Sequence, residues 1–531
     1  MSLIYPTNES LIKHSSLADL PNISESVCEE IGLTRVFSLK NSSIRSFFTC
    51  DEEVIKFRQD AIRDMLDTPE LSETLKKVLP ILADVTELRR LDVNSSTSSA
   101  DSYLYSITEI ELYISCINTL FTGLSSVRDR IKSEAFRRLS DVITTLAESE
   151  YYRDLNDKLS QLAQRVHEVK SITVGVNLDA QLRPCEAGVI SINSQPFKSG
   201  KLLDKIVRMS FKNDSMTCIA PLAPFGKGQS DNRREALISA FNTAIDEVFR
   251  TSVRSWRAIV DEYVLENTDF LLKILPEIEF ITKASEVTQR LLDRGCPLCV
   301  PEIMPKADKA FSALSLYNPD VALQISDDVV DNDFSFDDNG RFYVLTGPNR
   351  GGKSVITCAL GIAQAMMQLG LFVPAKQAKI SPVDAIFTHF PDGADTTIDK
   401  GRLGEECARL EEIFHSVTED SLILLDESLS STGSYEASYI AAEILAAFGA
   451  CRCRGIFSTH LHELAASIDE INERSLESGG IRIDTLVAGI EEGKRSFKIK
   501  RAKPDGKSYA RDIAEKYGLS FDKIKSFACK D

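Results

Sequence analysis

The chain has 531 residues, 43% of them hydrophobic and 27% charged, with a formal net charge of −17. That length predicts about two to four domains, and the acid excess excludes a protein that coats nucleic acid by bulk electrostatics, leaving only local patches for such contact. No apolar run approaches the roughly twenty residues of a membrane span, Met1–Ser10 shows no secretory pattern, and twelve cysteines without a framework suit a reducing cytoplasm.

Residues 1–48 form a mixed, serine-rich N-terminal segment with a short helix expected near Glu25–Ile31. Asp51–Leu66 opens with acids and keeps its apolar residues on one face, which predicts an amphipathic helix. Pro69 begins a second helix running to about Leu91, and Asn94–Ser102 reads as a polar linker. Further helices are expected over Ser106–Leu124, Ser133–Ala147 and Asp154–Val169. The period then changes: Ser171–Asp179 and Gly188–Asn193 alternate as a strand pair. Asn232–Leu275 contains neither Gly nor Pro, and its apolar residues recur at helical spacing. A helix of that length would reach about 65 Å. It reads as a lever that carries motion away from a ligand site, against the plainer reading of a core helix broken once or twice. Cys296-Pro297-Leu298-Cys299 has no second pair at ligand spacing, so no metal centre is expected there.

Residues 320–341 are acidic and turn-rich, closing at Asp338-Asn339-Gly340, and mark a boundary. The expected organisation is a helical core and lever region over 49–320, followed by an α/β domain over 321–531. At the head of that domain Phe342–Leu345 reads as a short strand leading into Gly347-Pro348-Asn349-Arg350-Gly351-Gly352-Lys353-Ser354. This is a complete phosphate loop between a strand and a helix. Glycines let backbone N–H groups turn toward phosphate oxygens, and the following helix aims its positive end at them. Lys353 would reach the β- and γ-phosphates of a nucleoside triphosphate, and the Ser354 hydroxyl would ligate Mg²⁺.

Leu422–Leu425 is a buried-strand pattern ending in Asp426-Glu427. A parallel strand would deliver both carboxylates at its C-terminal edge, Asp426 toward Mg²⁺ and Glu427 toward the attacking water. Gly455–Ser458 is a further short strand, from which His460 emerges at the same edge.

Together these elements resemble the ABC-type ATPases, and more closely the MutS family of DNA mismatch-repair proteins. The phosphate loop is similar to that family's, with Arg350 where methionine is usual. Gly370–Ala375, Asp384–Thr388, Ser458–Leu464 and Ser508–Ala514 follow the family pattern, and Asn332-Asp333 resembles its nucleotide-flanking pair. Asp51–Met65 and Lys170–Asp179 resemble the core and lever segments at lower specificity. The resemblance implies a P-loop ABC-type ATPase domain and an ATP site completed across a dimer. It also implies DNA gripped by a lever and clamp region, in repair of mismatched or branched DNA. A nucleotide-switched clamp acting on a ribosome or another protein complex is the alternative.

The departures are specific. Gly401–Glu406 stands where the family has a Ser-Thr-Phe signature, so Arg402 is the candidate group toward a neighbouring subunit's γ-phosphate, with a surface salt bridge as the alternative. Ser430, Ser431, Thr432 and Ser434 replace the family's segment after the acid pair and are candidates for the dimer seam. Val329 stands where some members place an aromatic against adenine. The core-like segment begins at Asp51, which leaves no room for the family's mismatch-reading domain. For DNA phosphates the candidates are Lys198, Lys201, Lys205, Arg208 and Lys212, with Arg128, Arg130 and Lys132 as a second set, a solvated helix face being the alternative for each.

Overall fold

The structure is a computed structural model. It describes residues 1–531 apart from 16–20, 41, 95–98, 169–170, 179, 182–183, 194, 196–219, 222–264, 349, 391–401, 492–493, 504–517, 520–522 and 526–531. In chain order the helices of the first half are α1 (Asn8–Ser15), α2 (Glu25–Glu30), α3 (Leu33–Val36), α4 (Glu52–Asp67), α5 (Pro69–Asn94), α6 (Ser99–Val127), α7 (Glu134–Glu148) and α8 (Glu150–Glu168). Strands β1 (Ser171–Leu178), β2 (Pro184–Asn193) and β3 (Ala220–Pro221) follow, then helix α9 (Leu265–Asp293). The second half runs β4 (Glu302–Ile303), β5 (Phe311–Leu316), α10 (Pro319–Gln324), β6 (Asn332–Phe336), β7 (Phe342–Thr346), α11 (Lys353–Gln368), β8 (Gln377–Ile380) and β9 (Ile386–His389). It continues with α12 (Arg402–Ser416), β10 (Leu422–Asp426), α13 (Ser434–Ala450), β11 (Arg454–Ser458), α14 (His462–Ala466), α15 (Ile468–Glu477), β12 (Ile483–Glu491) and β13 (Lys494–Arg501).

The chain packs as two compact units: residues 1–72, 130–137 and 276–531 in one, residues 73–129 and 138–275 in the other. This grouping runs differently from a division at 48 and 320, because both ends of the helical half pack with residues 321–531. Asn22 donates its N–H to the Asp384 carbonyl at 2.6 Å, Cys299 and Val373 exchange backbone bonds, and Phe47 stacks on Phe280 at 4.4 Å.

In the second unit, α6 places Ile110, Tyr113, Ile117, Leu120 and Leu124 at three- and four-residue spacing, all buried. Thr108–Arg130 is more apolar than the sequence reading allowed. By length and composition it is a helix that could cross a membrane, with 44% of its window buried inside the protein. Its apolar stripe is used as core, where Tyr152 donates to the Ile114 carbonyl at 3.1 Å. The expected strand pair is present, with β1 and β2 antiparallel from Ser171 opposite Asn193. The expected linker over Asn94–Ser102 is shorter, since α5 is helical to Asn94 and α6 from Ser99. The lever stretch over 232–264 lies outside the described residues.

The first unit is built on a six-stranded sheet of order β13-β12-β7-β11-β10-β9, parallel from β12 to β9, with β13 an antiparallel edge. The apolar run of β10 is explained by burial on both faces. Leu424 faces α11, where a Cβ on Gly361 would meet it at 2.6 Å. Ile423 and Leu425 join the opposite cluster with Phe457, Leu445, Phe448 and Ile471. A second sheet, β4-β8-β5-β6, belongs to the same unit.

Helix α4 begins at the N-cap Asp51, whose carboxylate accepts from Glu53 N–H at 2.9 Å. Two turns on, Arg58 is fully buried. Its guanidinium donates to the Ile4 carbonyl at 3.2 Å, the Leu369 carbonyl at 3.2 Å and the Phe47 carbonyl, between the Tyr5 and Phe280 rings. Leu369 is the C-cap of α11, so one side chain ties the N-terminal segment and α4 to the end of the helix that starts at the phosphate loop. Replacing Arg58 with Met strands three buried carbonyls. The expected cost is about 3 kcal/mol of stability, read as a lower denaturation midpoint of this unit.

Candidate functional site

Strand β7 is buried along its whole length and ends at Thr346, and the chain then turns through Gly347–Gly352 into α11. Two glycines make the turn possible. Gly347 has φ 143°, and a Cβ there would lie 2.7 Å from the Ala488 Cβ; Gly352, the N-cap, has φ 91°. Arg350 is exposed with φ 60°.

Lys353 is 4% exposed. Its Nζ lies back across the loop and donates to the Gly347 carbonyl at 3.2 Å and the Pro348 carbonyl at 3.3 Å. Burial pulls the Lys353 pKa down, opposed by the charges of Glu427 and Asp426. Burial pushes the Asp426 carboxyl up, opposed by a hydrogen bond from the Ser354 hydroxyl and by Lys353, while Glu427 beside it adds to the rise. Asp426 Oδ1 is buried without a hydrogen-bond partner. A buried carboxylate oxygen with a free lone pair, next to a hydroxyl, is a hard oxygen donor set that fits a divalent cation.

Register brings these groups together. Strand β11 lies between β7 and β10, with Ser458 opposite Leu345 on one side and Asp426 on the other. Glu427 N–H donates to the Ser458 carbonyl at 2.7 Å, Thr459 N–H to the Leu345 carbonyl at 2.9 Å, and Thr357 of α11 shares a hydroxyl bond with Ser458 at 2.7 Å. Glu427 itself has φ 47° and lines a cavity of about 460 Å³. Arg350, Gly351, Gly352, Lys353, Ser354 and Asn332 share its wall. His460 follows the exit of β11 and is exposed, but it does not line this cavity.

Asn332, in the cavity wall, also has a use within the protein. Its amide donates to the Phe497 carbonyl at 3.2 Å and accepts from Ile499 N–H at 2.7 Å, so it fastens β13 beside the cavity. Phe497 (φ 56°, 43% exposed) thereby becomes part of the wall, with Tyr317, Val321, Ile325 and Val329. Phe497 was not singled out from the sequence, where it stands within a basic run and carries no local signal.

Ser430, Ser431 and Ser434 are exposed after the acid pair, and Thr432 donates to Glu436 at 2.5 Å. Arg402 is the first residue of α12; its side chain, Asn349, and Lys198, Lys201, Lys205, Arg208 and Lys212 lie outside what is described. Arg128, Arg130 and Lys132 are each paired with a carboxylate, Asp141 at 3.0 Å, Glu70 at 2.9 Å and Asp67 at 3.6 Å. No cluster of three or more metal-ligating His, Cys, Asp or Glu side chains occurs among the described residues.

Comparison with known proteins bears on the same regions. The profile of MutS domain V matches residues 343–520, and that of the MutS2 N-terminal domain matches residues 50–294. The chain belongs to the MutS family. Among MutS relatives, the DNA mismatch repair protein MutS of Prochlorococcus marinus (strain MIT 9301) is 36% identical over 172 residues, 32% of this chain and 19% of that protein. The endonuclease MutS2 of Thermus thermophilus is 26% identical over 330 residues, 56% of this chain and 43% of that protein. The DNA mismatch repair protein Msh6 of Gallus gallus is 34% identical over 186 residues, 32% and 14% respectively. The chain thus spans less than half the length of these MutS-family relatives.

Because the loop has no room for a Cβ at Gly347, Gly347→Ala is expected to weaken binding of an ATP analogue at least tenfold. The strained backbone should also cost about 1–3 kcal/mol of stability. Equilibrium titration and denaturant unfolding check both, and wild-type affinity in the variant would contradict the geometry.

Proposed function

We propose that this MutS-family chain is an ATP-hydrolysing, DNA-binding protein of DNA repair, acting in the cytoplasm. The observation that carries the reading is the convergence of Lys353, Ser354 and Glu427 on one cavity at the C-terminal edge of a parallel sheet, with Asp426 hydrogen-bonded by Ser354. In this reading residues 321–531 are a P-loop ABC-type ATPase domain, and residues 49–320 are the core and lever region that grips DNA, mismatched or branched.

The chemistry follows from the side chains. Nucleotide phosphates would enter the loop and draw the Lys353 amine off the Gly347 and Pro348 carbonyls, exchanging two neutral acceptors for charged ones. Backbone N–H groups at the start of α11 would face the same oxygens. Bound Mg²⁺, held by Ser354 and Asp426, would neutralise charge developing on the phosphates. Glu427 would orient and deprotonate the attacking water, and His460 would stand near the γ-phosphate. Phe497 and Val329 would border the base. A second subunit would complete the site with Arg402 or the Ser430, Ser431, Thr432 and Ser434 turn. Dimer closure would move the levers, with Lys198, Lys201, Lys205, Arg208 and Lys212 as candidate contacts to DNA phosphates.

Two variants test this. Lys353→Ala is expected to lower ATP affinity about a hundredfold or more, since a buried charged hydrogen bond is lost. Glu427→Gln is expected to keep affinity within a few fold while turnover falls about 10²–10⁴-fold. Direct binding and phosphate release measure the two effects, and normal turnover by Glu427→Gln would remove Glu427 from the role of base.

A further inference from the structure

The edge of the main sheet opposite the phosphate loop is basic. Strand β7 is preceded by Arg341, β12 is preceded by Arg482, and β11 begins with Arg454 two residues after Arg452. Since β7 has five residues, this edge lies roughly 17 Å from the loop at the other end of the strand.

An open cavity of about 930 Å³ is formed here, and its lining includes the cations Lys306, Lys309, Arg341, Arg452 and Arg482. The carboxylates in the same lining are already engaged, Asp420 with Lys306 at 3.1 Å, Glu419 with Lys309 at 2.7 Å and Asp338 with Arg341 at 3.2 Å. Arg452 and Arg482 have no ion pair among the described residues, although Glu419 stands within the field of Arg452.

Arg454 adds a buried cation. It is 1% exposed, donates Nη1–H to the Ala310 carbonyl at 3.0 Å, and leaves Nε and Nη2 without a partner. The charged groups in its field are Asp420, Arg341 and Asp384. Asp384 is already bonded by Ser421 Oγ at 2.9 Å and by Thr418. Burial lowers the Arg454 pKa to about 10, which leaves it cationic at neutral pH. Two exposed arginines without an ion pair among the described residues, and a buried, under-satisfied guanidinium on the same strand edge, are not needed to hold that edge, where apolar or neutral residues would serve. They match the forked, multivalent recognition that phosphate oxygens receive from arginine.

We propose that this edge is a second anion site for phosphate groups, separate from the phosphate loop and supplied either by a free polyphosphate or by a nucleic-acid backbone. The site is positive within a chain whose net charge is −17, so its occupant must be held by local contacts and will be salt-sensitive.

The test compares the wild-type chain with Arg452→Asn/Arg482→Gln, both with saturating Mg²⁺-ADP so that the loop is filled. Asn tolerates the positive φ of 62° at position 452. Inorganic tripolyphosphate is titrated by calorimetry and a short labelled DNA duplex by anisotropy. The double variant is expected to bind at least one probe ten or more times more weakly, with ATP turnover, measured separately without ADP or DNA, unchanged. If the backbone is the source, the salt slope for duplex should fall by about two. Loss for tripolyphosphate alone identifies a free anion, and loss for the duplex identifies the nucleic-acid backbone. If the double variant does not fold, Arg452→Asn alone is expected to weaken binding about threefold. Binding of neither probe by wild type, or equal affinities in wild type and variants, overturns the proposal.

Discussion

The arrangement depends on one strand. β11 runs between β7, which leads into the phosphate loop, and β10, which ends at Asp426 with Glu427 next. Its last residues are bonded to both neighbours, Ser458 by Glu427 N–H and Thr459 to the Leu345 carbonyl. Because the strands are parallel, all three release their polar residues at one edge, and the spacing between loop and acids is fixed by a single ladder. Thr357, bonded to Ser458 from α11, adds the helix to the same frame. A shift of β11 by one residue would turn every side chain to the other face and separate the lysine from the acids.

The polar cluster held by this frame is costly to bury. Lys353 and Asp426 are both pushed toward neutrality by desolvation, and Asp426 Oδ1 has no partner. Such groups persist where a ligand is to be bound, because a polyanion and a cation supply the missing contacts. Stability comes from elsewhere in the unit. The sheet is covered on both faces, and Arg58 anchors the far end of α11 to the N-terminal segment. One helix thus has its start in the candidate site and its end fixed by a side chain from residues that precede it by hundreds of positions.

Much of this was legible in the sequence. The runs Phe342–Leu345, Leu422–Leu425 and Gly455–Phe457 are short and apolar and each is followed by polar residues, as buried parallel strands must be. The phosphate loop is a local motif whose glycines report the backbone they require. What was not legible depends on contacts distant in sequence. Asn332 reaches Phe497 and Ile499, more than 160 residues away, so neither its clamping role nor the place of Phe497 had a local signal. The grouping of distant chain segments into one compact unit was hidden for the same reason, since periodicity gives helices but not their neighbours. The polar composition of Asn94–Ser102 suggested a linker where helix begins again at Ser99, because propensity is a weak prior at helix ends. The basic strand-starting arginines were visible as residues, but only the parallel sheet places them at one edge.

The central claim is that the cavity beside Lys353 receives nucleotide phosphates. The most direct measurement is the structure of the chain with Mg²⁺ and a non-hydrolysable ATP analogue. The account predicts triphosphate oxygens within hydrogen-bond distance of Lys353 Nζ and the loop N–H groups, Mg²⁺ between Ser354 and the phosphates, and Glu427 facing the γ-phosphate. Lys353 still bonded to the Gly347 and Pro348 carbonyls, with the analogue bound elsewhere or not at all, would contradict it.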